Sequence, residues 1–461
     1  MAIVPGFEFF NSKGFRVHAN CFDAGLLLPA ARAFTLSARF LKETERTTMT
    51  TVHTLIAVAA CAAFTFNAQA QDKPAPPPAW KQGMTEKYKD STLAPHAGKM
   101  TETPAGDIPV GKLKVPPGFK VELWASGLPG GRAMALSDDG KKVYVGTRAI
   151  GRVYEVTDTG DKRTVRTVVD KLTQPAGVAY KSGALYVFAI DKVLKYDGIV
   201  GNPTVQPRDL TAAFDLPPQQ HHNWKYVAFG PDGKLYVPFG SPCNICEPPK
   251  EYGQIRRYNA DGTGKEVIAT GVRNSVGFDW HPQTKELWFT DHGRDWMGDD
   301  GPPDELNRLA KPGANFGFPY CHADGWFDAD FKKPNACDGV TQPVALMGSH
   351  AAAMGVKFYT GKMFPAEYRN TMFIARKGSW NRSIPNGFDV VNVRASADGT
   401  NAKTTPFLTG FNESNDSYKF WGRPAYIAQM PDGSLLVSDE QVGAIYRISY
   451  QKPAGGAAKT K

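Results

Sequence analysis

One phrase is repeated six times along this chain, and it limits the possible folds more than any other feature. Each copy has a short apolar strand, a Gly- or Asp-containing turn and a second strand. The turn-centred copies read ALSDDGKKVYVGTR, VAYKSGALYVFAI, VAFGPDGKLYVPFG, FDWHPQTKELWFTDHG, KFYTGKMFPAEYRNTMFIARKG and IAQMPDGSLLVSDE. Each is followed by a further strand, in order GRVYEV, DKVLKY, GQIRRY, DELNRL, GFDVVNV and GAIYRIS. Short strands joined by tight turns and recurring at about 60 residues build blades arrayed around a central axis. Six copies predict an all-β fold, a six-bladed β-propeller of four-stranded antiparallel blades.

The fourth strand of each blade is supplied by the segments TVRTVVDKL, RDLTAAFDL, KEVIATGV, TQPVALMG and TTPFLTGF, each preceding the next inner strand. GFKVELWASGL, residues 118–128, precedes the first blade instead. It is expected beside GAIYRISY as the outer strand of the last blade. Ring closure by the N- and C-terminal strands removes the exposed edges that invite aggregation. The predicted organisation is an upstream extension and cleaved signal peptide over 1–70, a Pro-rich extended leader over 71–112, the propeller over 113–452 and a flexible tail over 453–461.

Leu55 to Phe66, LIAVAACAAFTF, is too short to span a bilayer and precedes Asn67-Ala68-Gln69-Ala70, a small-residue cleavage pattern. Translation is expected from Met49, with the mature chain beginning near Gln71 in the periplasm or outside the cell, without stable membrane insertion. The net charge of +9 is modest and no basic run is interleaved with aromatics, so nucleic acid is not an expected partner. In an oxidising compartment Cys243 with Cys246, and Cys321 with Cys337, read as two local disulfides. A zinc site from these four, with His322, is the alternative. Covalent haem is excluded because Glu247, not His, follows Cys246.

In a propeller the residues just before the innermost strands converge on one mouth of the channel. Here they are Arg132, Gln174, His222, Arg273, His350 and Arg423. Lys377, at the end of a second strand, joins the three arginines. Two like charges about 4 Å apart cost on the order of 4 kcal/mol at an effective dielectric of 20, so converging cations call for a polyanionic ligand. The competing reading is that individual arginines pair with loop aspartates such as Asp295, Asp299 or Asp300. A histidine at the mouth, His222, is a candidate general base for an alcohol. The acidic loop after Thr290 offers oxygen ligands to a hard cation such as calcium, without EF-hand spacing. Two insertions, 292–326 and 412–423, are long enough to be functional loops.

The stretches HHNWKYVAFGPDGKLYV, GVRNSVGFDW, TDHGRDWMGDDGPPDELN with GANFGFPYC, ARKGSWNR and FWGRPAYIAQMPDG together resemble the soluble six-bladed sugar dehydrogenases that use pyrroloquinoline quinone (PQQ), in the sorbosone and pyranose dehydrogenase branch. The resemblance covers about 115–450. It implies His222 as the base that removes the hydroxyl proton while hydride leaves the adjoining carbon, and Arg273 as stabiliser of the developing oxyanion. It implies Asn274, Lys377, Arg423, Arg132 and Trp380 as cofactor contacts, the last from the RKGSWNR segment. The carbonyls of Gly293 and Arg294 would ligate calcium (Ca2+), with Asp304 and Glu305 at a second, structural calcium. A small sugar is the implied substrate and an external acceptor, a cytochrome or a quinone, the implied electron partner. Val276, His221 and Arg294 depart from the glucose-oxidising members, so the particular sugar is left open. The main alternative is a calcium-dependent lactonase or esterase on the same scaffold, and a third reading is a secreted binding propeller without catalysis.

Overall fold

A computed structural model of the chain describes residues 8–10, 16–18, 78–218, 221–414 and 416–452. Residues 1–75 and 76–461 are two separate compact units. In the first, Glu8–Phe10 pairs antiparallel with Arg16–His18. The expected signal segment, the Pro-rich stretch before Pro78 and the tail from 453 lie outside the described residues. Among those described, no helix is long and apolar enough to cross a membrane.

The second unit carries the predicted ring. Six antiparallel sheets follow one another along the chain, with inner strands Gly131–Leu136, Gly177–Lys181, Ala228–Phe229, Gly277–Trp280, Ala353–Phe358 and Pro424–Gln429. These open blades 1 to 6. Blade 1 adds Lys142–Thr147, Val153–Asp158 and Arg163–Val169 in simple meander order, and the other blades follow the same plan. Blade 3 gains a fifth, parallel strand, Ala314–Asn315, from the long loop of blade 4. Blade 6 is completed by Phe119–Ala125, antiparallel to Ala444–Tyr450. The closing strand is locked by Phe119, whose ring sits edge-on to Phe364 at 4.8 Å and Phe407 at 4.9 Å between centroids. Such aromatic pairs add about 0.5–1.5 kcal/mol each beyond area burial.

The apolar faces of adjacent blades pack together, so the core is divided into wedges. Between blades 2 and 3 lie Tyr186, Phe188, Leu235, Val237 and Phe239. Trp288, Met347, Val356 and Ile374 fill the wedge between blades 4 and 5. Toward the axis the inner strands approach so closely that side chains are excluded: a Cβ at Gly355 would stand 2.6 Å from the Tyr426 Cα of the next blade. The strand alternation sets the wedges; the axial glycines set the radius.

The described part of the leader runs as short helical turns, Ala79–Lys81, Glu86–Tyr88, Ala105–Asp107 and Val110–Lys112. Ile108 and Leu113 are buried against blade 6 together with Phe411 and Val442. Residues 78–97 instead cross the open mouth of the ring, and their contacts belong to the site.

Candidate active site

Five of the six candidates line one cavity of about 340 Å³: Arg132, the second residue of its inner strand, and His222, Arg273, His350 and Arg423, which precede theirs. Gln174 is the exception, with its Oε1 buried and unpartnered elsewhere. The repeat predicts this convergence because each such residue lies at or near the entry to the inner strand of its blade. Gln174, His222 and His350 also share positive φ values of 51°, 49° and 58°, which fold the chain sharply into the inner strand. Asp291 and Asp439, the last residues of the second strands of blades 4 and 6, reinforce the pattern. Asp291 accepts the backbone N–H of Arg273 at 2.7 Å, and Asp439 that of Arg423 at 2.9 Å.

A second ring of equivalent positions had no place in the sequence argument beyond Lys377. The residues just after the second strands are Arg148, Ala189, Gly240, His292, Lys377 and Glu440. Arg148, His292 and Lys377 line the cavity. Glu440 sits behind them, pairing with Arg132 and, at 2.5 Å, with Lys377. The period that identified the first ring would have found these by reading the other end of each turn. Arg148 stacks 3.8 Å over the Trp224 ring, which also faces the cavity.

Arg132, Arg148, Lys377 and Arg423 thus gather around one carboxylate. Burial pushes Lys377 well below its ordinary value and Arg148 and Arg423 down to about 10, with the charge of Arg132 adding to each. Burial works to raise Glu440, but Arg132, Lys377 and Arg423 hold its carboxyl well below the usual carboxylate range. Arg423 is steadied by Gly378 O at 2.7 Å. Three guanidiniums and the Lys377 ammonium around Glu440, with Asp439 also acting on Arg423, favour an anionic ligand.

His222 is buried and donates Nδ1–H to Ser241 O at 3.1 Å, which leaves Nε2 as the acceptor. Burial lowers its pKa well below 6.5, and His221, Arg273 and His292 lower it further. It is therefore neutral at neutral pH, the state a base requires. His221, at 3.9 Å between ring centroids, is driven to about 3 by burial and Arg273.

Arg273 is held by the small loop that the Cys243–Cys246 disulfide closes. Its Nε donates to Asn244 O at 2.8 Å and its Nη2 to Asn244 Oδ1 at 2.7 Å. Asp295 pairs with it at 3.3 Å, the aspartate pairing weighed from sequence, while the guanidinium still lines the cavity. Asn274 donates Nδ2–H to His292 Nδ1 at 2.9 Å and His292 donates Nε2–H to Ala353 O at 2.7 Å. The Oδ1 of Asn274 is buried without a partner, an acceptor awaiting a donor.

The proposed calcium residues divide. Gly293 and Asp304 line the cavity. Asp304 accepts the N–H groups of Gly293 at 3.1 Å and Ala353 at 3.0 Å, and burial raises it to about 7. Glu305 faces away, bonded to Asn307 Nδ2 at 2.7 Å and raised by burial to about 8. The Arg294 side chain also leaves the cavity: it is fully buried against Asp328 at 2.9 Å and Asp330 at 2.8 Å. Among the described residues no three His, Cys, Asp or Glu side chains gather as a metal site, so a cation here would depend on backbone carbonyls. The second disulfide, Cys321–Cys337, pins the 292–337 loop, and His322 bonds Asp328 at 2.8 Å, so the cysteines are disulfides and not zinc ligands.

Trp380 lines the cavity and meets Trp80 of the leader edge-on at 5.5 Å. Ala94, Pro95 and His96 of the leader line it as well. Unlike Trp380, these leader residues carry no repeat and no motif, so no signal in the sequence marked them.

The sequence profile of the TrAA12-like family matches residues 113–451. An uncharacterised protein of Borreliella burgdorferi is 34% identical over 353 residues, 74% of this chain and 91% of its own length. The holo PQQ domain of pyranose dehydrogenase from Coprinopsis cinerea superposes with a TM-score of 0.59 at 20% identity, over 73% of this chain and 97% of that one. A calcium structure of a Trichoderma reesei family AA12 carbohydrate-active enzyme gives 0.59 at 21%, over 74% and 97%. The apo form of the soluble aldose sugar dehydrogenase of Escherichia coli gives 0.53 at 18%, over 72% and 100%. At these identities the superpositions speak for the six-bladed ring, and the profile match speaks for descent: this chain belongs to the TrAA12-like family.

Proposed function

We propose that the chain is a periplasmic or secreted quinoprotein dehydrogenase that oxidises an aldose or related sugar, with PQQ and Ca2+ as cofactors and an external electron acceptor. The observation that carries this is the cavity where four cations share a single carboxylate beside a neutral histidine. The donor set suits the group: three guanidiniums and an ammonium match a cofactor bearing three carboxylates. The family membership and the holo PQQ domain with the same fold point the same way.

Arg132, Arg148, Lys377 and Arg423 would hold the cofactor's carboxylates, and Asn274 and Trp380 would contact its ring system. The carbonyls of Gly293 and Arg294 would take the calcium. When bound, the quinone supplies a two-electron, hydride-accepting carbonyl. The chain supplies the rest. His222 Nε2 takes the proton of the substrate hydroxyl as hydride leaves the same carbon, so one C–H and one O–H bond become a carbonyl. Fixing Nδ1–H on Ser241 O leaves the Nε2 lone pair free to receive that proton. Arg273, clamped by Asn244 and Asp295, is oriented to stabilise negative charge building on an oxygen in the cavity.

The test is reconstitution. Apo-protein mixed with PQQ and calcium should gain aldose-dependent reduction of an artificial dye. Lactone hydrolysis without dye reduction would move the assignment to the hydrolase reading.

A further inference from the structure

We infer that residues 78–97 form a fixed roof over the cavity, with Trp80 and His96 selecting a free, monosaccharide-sized sugar over the end of an oligosaccharide. The inference rests on the sugar-oxidising reading and adds the substrate size class. The segment precedes the family match at 113–451.

The segment is fastened along its length. At one end, Trp296 Nε1–H donates to Trp80 O at 2.6 Å, and Asn244 donates N–H to Gln82 Oε1 at 3.1 Å and Nδ2–H to Gln82 O at 2.6 Å. Arg294 Nη2–H reaches Gly83 O at 3.2 Å. In the middle, Tyr88 packs on Trp296 at 5.6 Å. At the other end His96 donates Nε2–H to Ser379 O at 3.2 Å and lies against Tyr418 at 5.3 Å and Phe420 at 4.7 Å. The partners at the first end belong to the loops of blades 3 and 4 and those at the last to blades 5 and 6, so the segment spans the mouth. A sugar unit attached to the substrate would have to pass through this path.

The lining on this side has the chemistry of sugar recognition. An indole, Trp80, offers an apolar surface for the C–H face of a pyranose. His96, with Nε2–H committed to Ser379 O, leaves Nδ1 to accept from a hydroxyl. Burial, with Arg423 and Lys377, holds its pKa at about 4, so Nδ1 is available at neutral pH.

The test uses the full-length holoenzyme and two point variants, Trp80→Ala and His96→Ala. Reducing monosaccharides are compared with the matching di- and trisaccharides. Wild type should strongly prefer the monosaccharide. Trp80→Ala should narrow that preference in kcat/KM by about tenfold. His96→Ala should raise KM for the monosaccharide by a similar factor with kcat little changed. PQQ alone should still raise the melting temperature of all three proteins, and hydrogen exchange over 78–97 should slow when monosaccharide is added to wild type. Unchanged size preference in both variants, or exchange over 78–97 indifferent to sugar, overturns the roof while leaving sugar oxidation intact. A wild-type protein that neither gains stability from PQQ nor oxidises any sugar overturns the parent reading, and the roof's role with it.

Discussion

Glutamate 440 is the sharpest point of attack on the electrostatic argument. It is the carboxylate paired with Arg132 and with Lys377, the latter at 2.5 Å, while Arg423 also depresses its pKa. Glu440→Gln preserves shape and deletes one charge. An attraction of about 4 kcal/mol per pair at 4 Å and an effective dielectric of 20 is lost, partly offset by relaxation and water. Breaking a buried pair by removing one partner typically costs about 3–5 kcal/mol. With about 2.1 cal/mol/K of unfolding entropy per residue, a ring of this size has roughly 0.7 kcal/mol/K, so the apo variant should melt roughly 4–7 °C lower. A tricarboxylate that enters the cavity would restore the missing negative charge. Calorimetry of both proteins with and without PQQ should therefore show a larger ligand-induced rise in the variant than in wild type. If the variant melts with wild type, or gains less from PQQ, the cluster is not short of an anion and the reasoning fails.

Further outcomes follow from the same geometry. His222→Ala should reduce turnover by about 10²–10⁴-fold while the PQQ-induced stabilisation persists; loss of that stabilisation would count against a base role. Because burial lowers the His222 pKa, the acid limb of the kcat/KM profile should lie below pH 6.5, and a limb at or above that pH would contradict a neutral buried base. His96 and His221, at about 4 and about 3, are neutral in the fold and titrate near 6.5 when unfolded. Their contribution is complete above pH 6.5 and is lost as pH falls, opposed over the same range by Asp304 and Glu305, whose raised carboxyls gain stability on protonation, so replacing either histidine by Gln should flatten the acid loss of apo-protein stability in denaturant titrations. Asn244→Ala removes side-chain bonds to Arg273, Asp295 and Gln82 and should cost about 3 kcal/mol, with kcat falling more than KM rises as Arg273 loosens.

What the sequence made legible and what it hid divide along one physical line. The ring, its closure by Phe119–Ala125 and the convergence of Arg132, His222, Arg273 and Arg423 all follow from a period, because equivalent positions in a repeat must share a radius and a height. Gln174 obeys the period but does not reach the cavity, so position in the repeat fixes where a residue starts and not where its side chain ends. Glu440 and Arg148 obey it too, yet an acid after LLVSD and a basic residue after VYVGT read as ordinary strand ends until the cations are seen around them. Trp80 and His96 have no period at all. Their place depends on contacts with Trp296 and Trp380 for Trp80 and with Ser379 for His96, from loops far apart in sequence, and no local pattern encodes such a meeting. The repeated part of the chain builds a charged well; if the unrepeated part selects what enters it, as inferred for residues 78–97, variation in substrate among relatives should track the leader and the 292–337 loop more than the blades.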